Sequence, residues 1–193
     1  PFVSGKDSLN NEYFGSDGER HSVPPTLVIT AVAHVPDANV TVTPDIKEAQ
    51  NVLIVLGHTF CEFGASHLAK VKNHSYSGVV PDADATAPSR YRALHRAIRD
   101  GLIRSCHDVS EGGIAVAVTE MAIGGRLGVD MTVCENATDA QWLFSESNGR
   151  FIVEVAPDHV AEVLSLFAEA SCILGIVTEK SVLKFSDKHV ASV

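Results

Sequence analysis

Between Ser105 and Ala122 the chain reads SCHDVSEGGIAVAVTEMA. An oily run ends in His107 and Asp108, passes Ser110, Glu111, Gly112 and Gly113, and becomes an alanine-rich helical pattern. A strand that runs through a short polar turn into a glycine-opened helix suits an anion. The first amides of a helix lack intrahelical partners, carry partial positive charge and point at the turn. Gly112 and Gly113 remove the Cβ atoms that would keep a ligand off the backbone. Asp108 offers the hard carboxylate oxygens that Mg²⁺ takes beside phosphate oxygens, and Ser110 offers a hydroxyl to a phosphate or to a metal-bound water. The set fits Mg-nucleotide or phosphate binding. A plainer reading stands beside it, in which Asp108 and Ser110 cap the helix that begins near Gly112. His107 alone reads as a packed strand-end histidine. A His-Asp metal hydrolase would want further histidines and aspartates on helices, and the pattern over 112–125 supplies only Glu120.

Three other polar clusters carry weaker signals. SGKDSLNN (4–11) places Lys6 as a point charge for phosphate and Ser8 as a hydroxyl, after Gly5. It is not a P-loop, because Asp7 follows the lysine where Ser or Thr is required, and no apolar helix follows. FSESNGR (144–150) offers Ser145, Glu146, Ser147 and Asn148 to sugar hydroxyls, or is an ordinary polar loop. GHTFCEFGAS (57–66) puts small residues after an apolar run, a weak phosphate signal by itself.

The elements that must position these residues follow from periodicity and punctuation. NVLIVLG (51–57), LIRSCH (102–107), GVDMTV (128–133) and RFIVEV (150–155) read as strands. ILGIVT (173–178) and SVLKFS (181–186) read as a hairpin around Glu179 and Lys180. A helix is expected to start near Gly64 and Ser66. Another spans 87–101, with Ser89 as its cap, Tyr91, Leu94 and Ile98 on one face and Gly101 as its stop. Helices are also expected over 112–125, over 137–146, and from an Asp158 cap to about Ala170. Residues 2–22 read as a polar loop, PPTLVITAVAHV (24–35) as a strand, and 74–87 as a mobile loop. The fold class is α/β (α+β), a mixed sheet with packed helices. A boundary at the proline-bearing connector divides the chain into 1–45 and 46–193.

Composition bounds the function. The chain has 193 residues, 45% of them hydrophobic, and a net charge of −9, which suits a cytoplasmic domain with a real core and argues against a nucleic-acid grip. No apolar run approaches the roughly 18 residues of a membrane helix. Cys61, Cys106, Cys134 and Cys172 are widely spaced, with no C-x-x-C, and read as reduced small hydrophobes. The sequons at Asn39, Asn73 and Asn136 read as chance matches. The start at Pro1, directly in a ligand-like loop, gives the expectation of a piece of a longer polypeptide.

SGKDSLNNEY, PPTLVITAVAHV, LGHTFCEFGASHLA, RYRALHRAIRDGLIRSCHDVSEGGIAVAVTEMA and LFSESNGRFIVEV, in that order, resemble the phosphoribosylformylglycinamidine synthase family over nearly the whole chain. HDVSEGG followed by an alanine-rich helix recurs across the wider superfamily of aminoimidazole ribonucleotide synthetase, selenophosphate synthetase and thiamine-monophosphate kinase. The resemblance implies the tail of a second N-terminal-type synthetase domain (1–45) and an aminoimidazole ribonucleotide synthetase-like C-terminal domain (46–193). It implies a ligase that uses ATP and ammonia from glutamine to convert formylglycinamide ribonucleotide to the amidine, with Mg²⁺ and ATP or ADP bound. Its partners would be the remaining synthetase domains and a glutaminase domain or subunit. It implies Asp108 as a metal ligand, Ser110, Gly5, Lys6, Gly112 and Gly113 at the nucleotide, and Ser8, Glu146 and Ser147 at the substrate. Lys6 departs from the small-subunit form of the family, which tends to carry a metal-binding Asn there, and a lysine cannot ligate Mg²⁺. The family's catalytic histidine belongs to the first half, so none of the histidines here inherits that role. Two alternatives stay open: an inert structural or assembly module of that enzyme, and another ATP-dependent enzyme of the same superfamily.

Overall fold

The computed structural model describes residues 3, 5, 11–23, 27–72, 78–132, 138–185 and 189–192. They form two compact units, 1–36 and 37–193.

In the first unit, β1 (Glu12–Phe14) and β2 (Arg20–Ser22) pair antiparallel, where the sequence suggested only loop. The tight turn at Asp17 and Gly18 makes this possible. Gly18 donates its amide to the Gly15 carbonyl, and the Asp17 carboxylate accepts from the Glu19 amide. Polar side chains hide the strands from a hydropathy reading, and Arg20–Glu12 and Tyr13–His21 pair across them. The strand expected over 24–35 does not form within the described residues 27–35. Leu27, Val28, Ile29 and Val32 stay exposed there. β propensity becomes a strand only when a neighbour takes up the backbone N–H and C=O groups, and among the described residues none does.

The second unit holds the sheet. Its strands are β3 (Val52–Leu56), β4 (Ser105–Asp108), β5 (Gly128–Met131), β6 (Phe151–Val155), β7 (Ser171–Thr178), β8 (Val182–Phe185) and β9 (His189–Ser192). Among the described residues their order is β4-β6-β3-β7-β5-β8-β9, antiparallel except for the parallel pair β5–β8. The expected hairpin of β7 and β8 is therefore replaced: β5 inserts between them. Its backbone pairs with β7 on one side and β8 on the other, and Gly128 packs against the Lys180 and Val182 carbonyls so closely that no Cβ fits.

The helices are α1 (His67–Val71), α2 (Ala87–Arg99), α3 (Gly113–Gly125), α4 (Asp139–Phe144) and α5 (Val160–Phe167). The alternation of β3 and β6 feeds two cores. Leu53, Val55, Ile152 and Val177 pack with Ile114, Val118 and Met121 of α3 and Trp142 of α4. Ile54, Leu56, Val153 and Val155 pack with Leu94 and Ala97 of α2 and Val163 and Phe167 of α5.

Helix ends follow local chemistry. Ser66 caps α1, and Thr138 and Gln141 form a capping box on α4. Ser89 does not cap α2: it lies inside the first turn and donates its hydroxyl to the Thr86 carbonyl. Asp158 does not cap α5 either. Pro157–His159 is a 3-10 turn, and no side chain caps the helix that follows. That helix stops at Phe167, because Ala168 takes φ 45°. Gly101, at φ 76°, ends α2 as expected, with the Leu102 amide reaching back to the Ala97 carbonyl. Cys106 is partly buried and Cys61 exposed, while Cys172 is disulfide-bonded, against the expectation of four reduced thiols.

Glu154 is fully buried on the α3 face of β6, and among the described residues it forms no salt bridge. Its Oε1 accepts from the Lys47 and Glu48 amides and from Asn51 Nδ2, at 3.0, 3.0 and 2.8 Å. Its Oε2 accepts from the Lys47 amide at 2.9 Å and the Ser105 hydroxyl at 2.8 Å. The carboxylate thus ties the connector at 47–51 to β4 and β6. Glu154→Ala should lower unfolding free energy by about 3 kcal/mol or more, since several buried donors lose a charged acceptor. Urea denaturation checks this, and a loss below about 1 kcal/mol would mean that the connector does not depend on the carboxylate.

Candidate functional site

The turn between β4 and α3 is where the sequence motif becomes geometry. Asp108 ends β4 with its side chain largely exposed. The Val109 amide donates to the Arg150 carbonyl and the Gly113 amide to the Ser110 carbonyl, which folds the turn tightly. His107 sits between two carboxylates: Nε2 lies 3.0 Å from Glu120 Oε2 and Nδ1 3.3 Å from Asp108 Oδ1. It joins the strand end to α3, as a packed strand-end histidine would.

A cleft of about 510 Å³ opens at this turn. Asp108, Ser110 and Glu111 form one side, Glu146, Asn148 and Arg150 another, and Tyr91 and Phe151 an aromatic wall in edge-to-face contact. The structure therefore brings HDVSEGG and FSESNGR to a single place. Of the 4–11 cluster, Lys6 and Ser8 lie outside the described residues, and Gly5 belongs to the first unit.

The glycine pair answers a packing demand that exists without any ligand. Both residues have positive φ, 80° at Gly112 and 69° at Gly113. A Cβ on Gly113 would lie 2.6 Å from the Ser145 carbonyl oxygen and 2.7 Å from that of Leu143, at the end of α4. The Gly112 amide is also in use, donating to Glu146 Oε1 at 2.8 Å, and the same oxygen accepts from the His67 amide at 2.8 Å. One internal carboxylate thus serves the first turns of both α3 and α1. Ser147 is buried, and its hydroxyl accepts from the Phe60 amide at 3.0 Å. The substrate contacts that the resemblance implies for Glu146 and Ser147 fall on side chains already engaged within the domain. Asp108, Ser110 and Glu111 are the exposed ones.

Two arginines that sequence reading passed over organise the cleft. Arg150 is 1% exposed. Its guanidinium donates to the Ser147 carbonyl at 3.0 Å, the Thr59 hydroxyl at 2.9 Å and the Ser145 carbonyl at 2.5 Å. Burial pushes its pKa down to about 10 while Glu62 and Glu146 pull it back up, so it is charged at neutral pH. Arg90, also buried, donates to the Gly149 carbonyl and pairs with Asp84 at 2.6 Å. The Arg90 hydrogen bond, with help from Thr86, holds the Asp84 carboxyl well below the usual carboxylate range. A buried arginine leaves one sequence signal, a cation within or beside an apolar pattern, as at Arg150 before F-I-V and Arg90 before Tyr91. Under β4, burial and then the Asp108 charge push the Cys106 thiol up to about 12.

Among the described residues no group of three or more His, Cys, Asp and Glu side chains is disposed to hold a metal. Asp108 fits an ion held chiefly by phosphate oxygens and water, the usual habit of Mg²⁺, and not a closed protein cage.

The sheet with helices on both faces, and the tight strand-to-helix turn at the cleft, define an α/β (α+β) domain with a mixed sheet. The family described as AIR synthase related protein, C-terminal domain, matches residues 48–188, and the chain belongs to that family. Phosphoribosylformylglycinamidine synthase II from Thermotoga maritima is similar in structure, with a TM-score of 0.67 at 16% identity over 80% of this chain and 27% of that one. T. maritima PurL complexed with FGAR gives 0.66 at 20% identity over 78% and 28%. Escherichia coli HypE, a hydrogenase maturation protein, gives 0.58 at 17% over 80% and 52%. At these identities the likeness is one of fold, and the chain spans about a quarter of the length of the synthase structures. No helix of the described residues is long and apolar enough to cross a membrane.

Two measurements test this geometry. Gly113→Ala should cost at least about 2 kcal/mol more in urea denaturation than Gly101→Ala. The latter has open space around its Cβ and should lose only the roughly 1–2 kcal/mol of a left-handed alanine. Equal losses would mean that the α3–α4 contact yields easily. At pH 8 a disulfide reagent should label Cys61 in the native protein and Cys106 only after unfolding, because a thiol titrating near 12 offers almost no thiolate. Rapid native labelling of both would contradict the burial described.

Proposed function

We propose that this chain is the C-terminal synthetase domain of a phosphoribosylformylglycinamidine synthase-type ligase, with its cleft contributing to a Mg-nucleotide site. In such an enzyme ATP phosphorylates the amide oxygen of formylglycinamide ribonucleotide, and ammonia from glutamine displaces the phosphate. The chain's own task in that chemistry is positioning and charge stabilisation. Asp108 would hold Mg²⁺ together with the phosphate oxygens, and Ser110 would donate to a phosphate or to the metal's water. Tyr91 and Phe151 would shield one side from solvent. The observation that carries the reading is the exposed, cleft-facing set Asp108, Ser110 and Glu111 at the mouth of a 13-residue helix, in a family member whose fold neighbours include PurL structures complexed with ATP and with ADP.

A second reading rests on a specific observation. Glu146 Oε1 already takes the Gly112 amide, and Ser147 is buried. On that reading the domain is a scaffold whose site is completed, or replaced, by the other synthetase domains.

Calorimetric titration of Mg-ADP into this chain and into Asp108→Ala separates the two. Binding that weakens about tenfold or more in the variant supports a substantial nucleotide site within this domain, since a lost metal ligand costs at least one charge-assisted contact. No binding to either protein favours the scaffold. Equal binding to both would remove Asp108 from the site. The ligase assignment has its own test: the full-length protein should form the amidine from formylglycinamide ribonucleotide, glutamine and ATP, and a folded full-length protein lacking this activity would overturn it.

A further inference from the structure

The outer face of α2 carries a charge pattern that neither the fold nor the cleft uses. Arg92, His95, Arg96 and Arg99 stand at i, i+3, i+4 and i+7, all exposed. At 100° per residue they fall within an arc of about 100°, opposite the buried Arg90, Leu94 and Ala97. Arg90, turned inward, has its carboxylate in Asp84. None of Arg92, Arg96 and Arg99 has an ion pair among the described residues. Asp100 and Glu162 share a groove with Arg96, and among the described residues neither forms a salt bridge with it. These three of the chain's 15 basic residues thus form one unpaired row on a protein of net charge −9. Without them the remainder carries −12, which is −9 minus 3. Unpaired arginines held in register on a rigid helix are a surface for carboxylates, because each guanidinium presents a planar fork of donors.

We propose that the outer face of α2 is a docking surface for an acidic protein segment carried outside this chain. Charge complementarity sets the sign of the partner, and the dimensions set its kind. From Arg92 to Arg99 the stripe is about 10 Å long at 1.5 Å per residue, enough for three or four carboxylates on one helical or extended face. A nucleic-acid backbone gains affinity by neutralising many phosphates in succession. Beyond this stripe it would run onto a surface of net −12. A second copy of the chain supplies no matching row: no α-helix among the described residues carries more than one acid, Glu120 on α3, Asp139 on α4 and Glu162 on α5. Tyr91, half-exposed at the stripe's edge, lines both the groove beside Arg92, His95 and Arg96 and the candidate cleft. A partner seated here would therefore lie against the rim of the cleft.

The test uses this chain and a fluorescein-labelled octaglutamate peptide, read by fluorescence anisotropy at low and physiological salt. The charge reversal Arg92→Glu/Arg96→Glu should weaken peptide binding roughly tenfold or more. Lys70→Glu/Lys72→Glu changes net charge equally but lies off the stripe, and should weaken it less than about twofold. Equal weakening by the two pairs would reduce the effect to net charge and overturn the proposal. So would absence of peptide binding to the unaltered chain, or tighter binding of an oligothymidine of the same charge. Circular dichroism of each variant checks that α2 is intact. A variant that fails to fold is replaced by the neutral pair Arg92→Gln/Arg96→Gln, read in the same way.

Discussion

The site depends on one buried guanidinium. Arg150 has little water around it, so its donors must find oxygen within the protein. Two of the oxygens it finds are the carbonyls of Ser145 and Ser147, on either side of Glu146. Holding those carbonyls folds the 145–149 turn and aims the Glu146 carboxylate at the first amides of α3 and α1. The third bond, to Thr59, fixes the loop after β3 against the same turn. Two segments far apart in sequence, 108–113 and 145–150, are thereby set around one cleft, with the 57–67 segment bonded to the second of them. Lysine would not replace this arginine, since a single ammonium cannot span a planar fork of three acceptors.

The motif HDVSEGG therefore contains two kinds of residue, distinguished by direction and not by type. His107, Gly112 and Gly113 face the domain: a histidine joined to Glu120, and two glycines whose left-handed backbone brings α3 against the end of α4. Asp108, Ser110 and Glu111 face the cleft. The inward residues fix the helix mouth from which the outward ones project. In FSESNGR the balance is reversed, because Ser145, Ser147 and Arg150 are buried and bonded internally. A polar loop in the sequence is here a polar core in the structure.

This explains what could be read from the sequence. The buried strands and the helices with strong punctuation were legible: β3 from a continuous apolar run, α2 from its apolar face and Gly101, α3 from its flanking glycine pairs. The meeting of two of the polar clusters was not, because it depends on long-range bonds from Arg150, and a single arginine beside a strand gives no direction. The hairpin misreading of β7 and β8 has a similar cause. A turn-like Glu179–Lys180 says that the chain reverses, but not whether a third strand occupies the space between the two arms. The hairpin at 12–22 was missed for the opposite reason, since cross-strand pairing and a tight turn hold it without apolar alternation.

The strand order also shapes how the domain comes into being. β3, near the start of the second unit, lies between β6 and β7, and β5 waits for β7 and β8. Its two edges are thus satisfied only by segments synthesised much later. On a ribosome the first half of this unit would emerge with its central strand unpaired, and most of the contacts that reward ordering would arrive together near the end. Such a topology favours late, concerted closure over stepwise growth. It also leaves an apolar strand with two open edges for as long as synthesis lasts, which makes the nascent chain a natural client for holding chaperones.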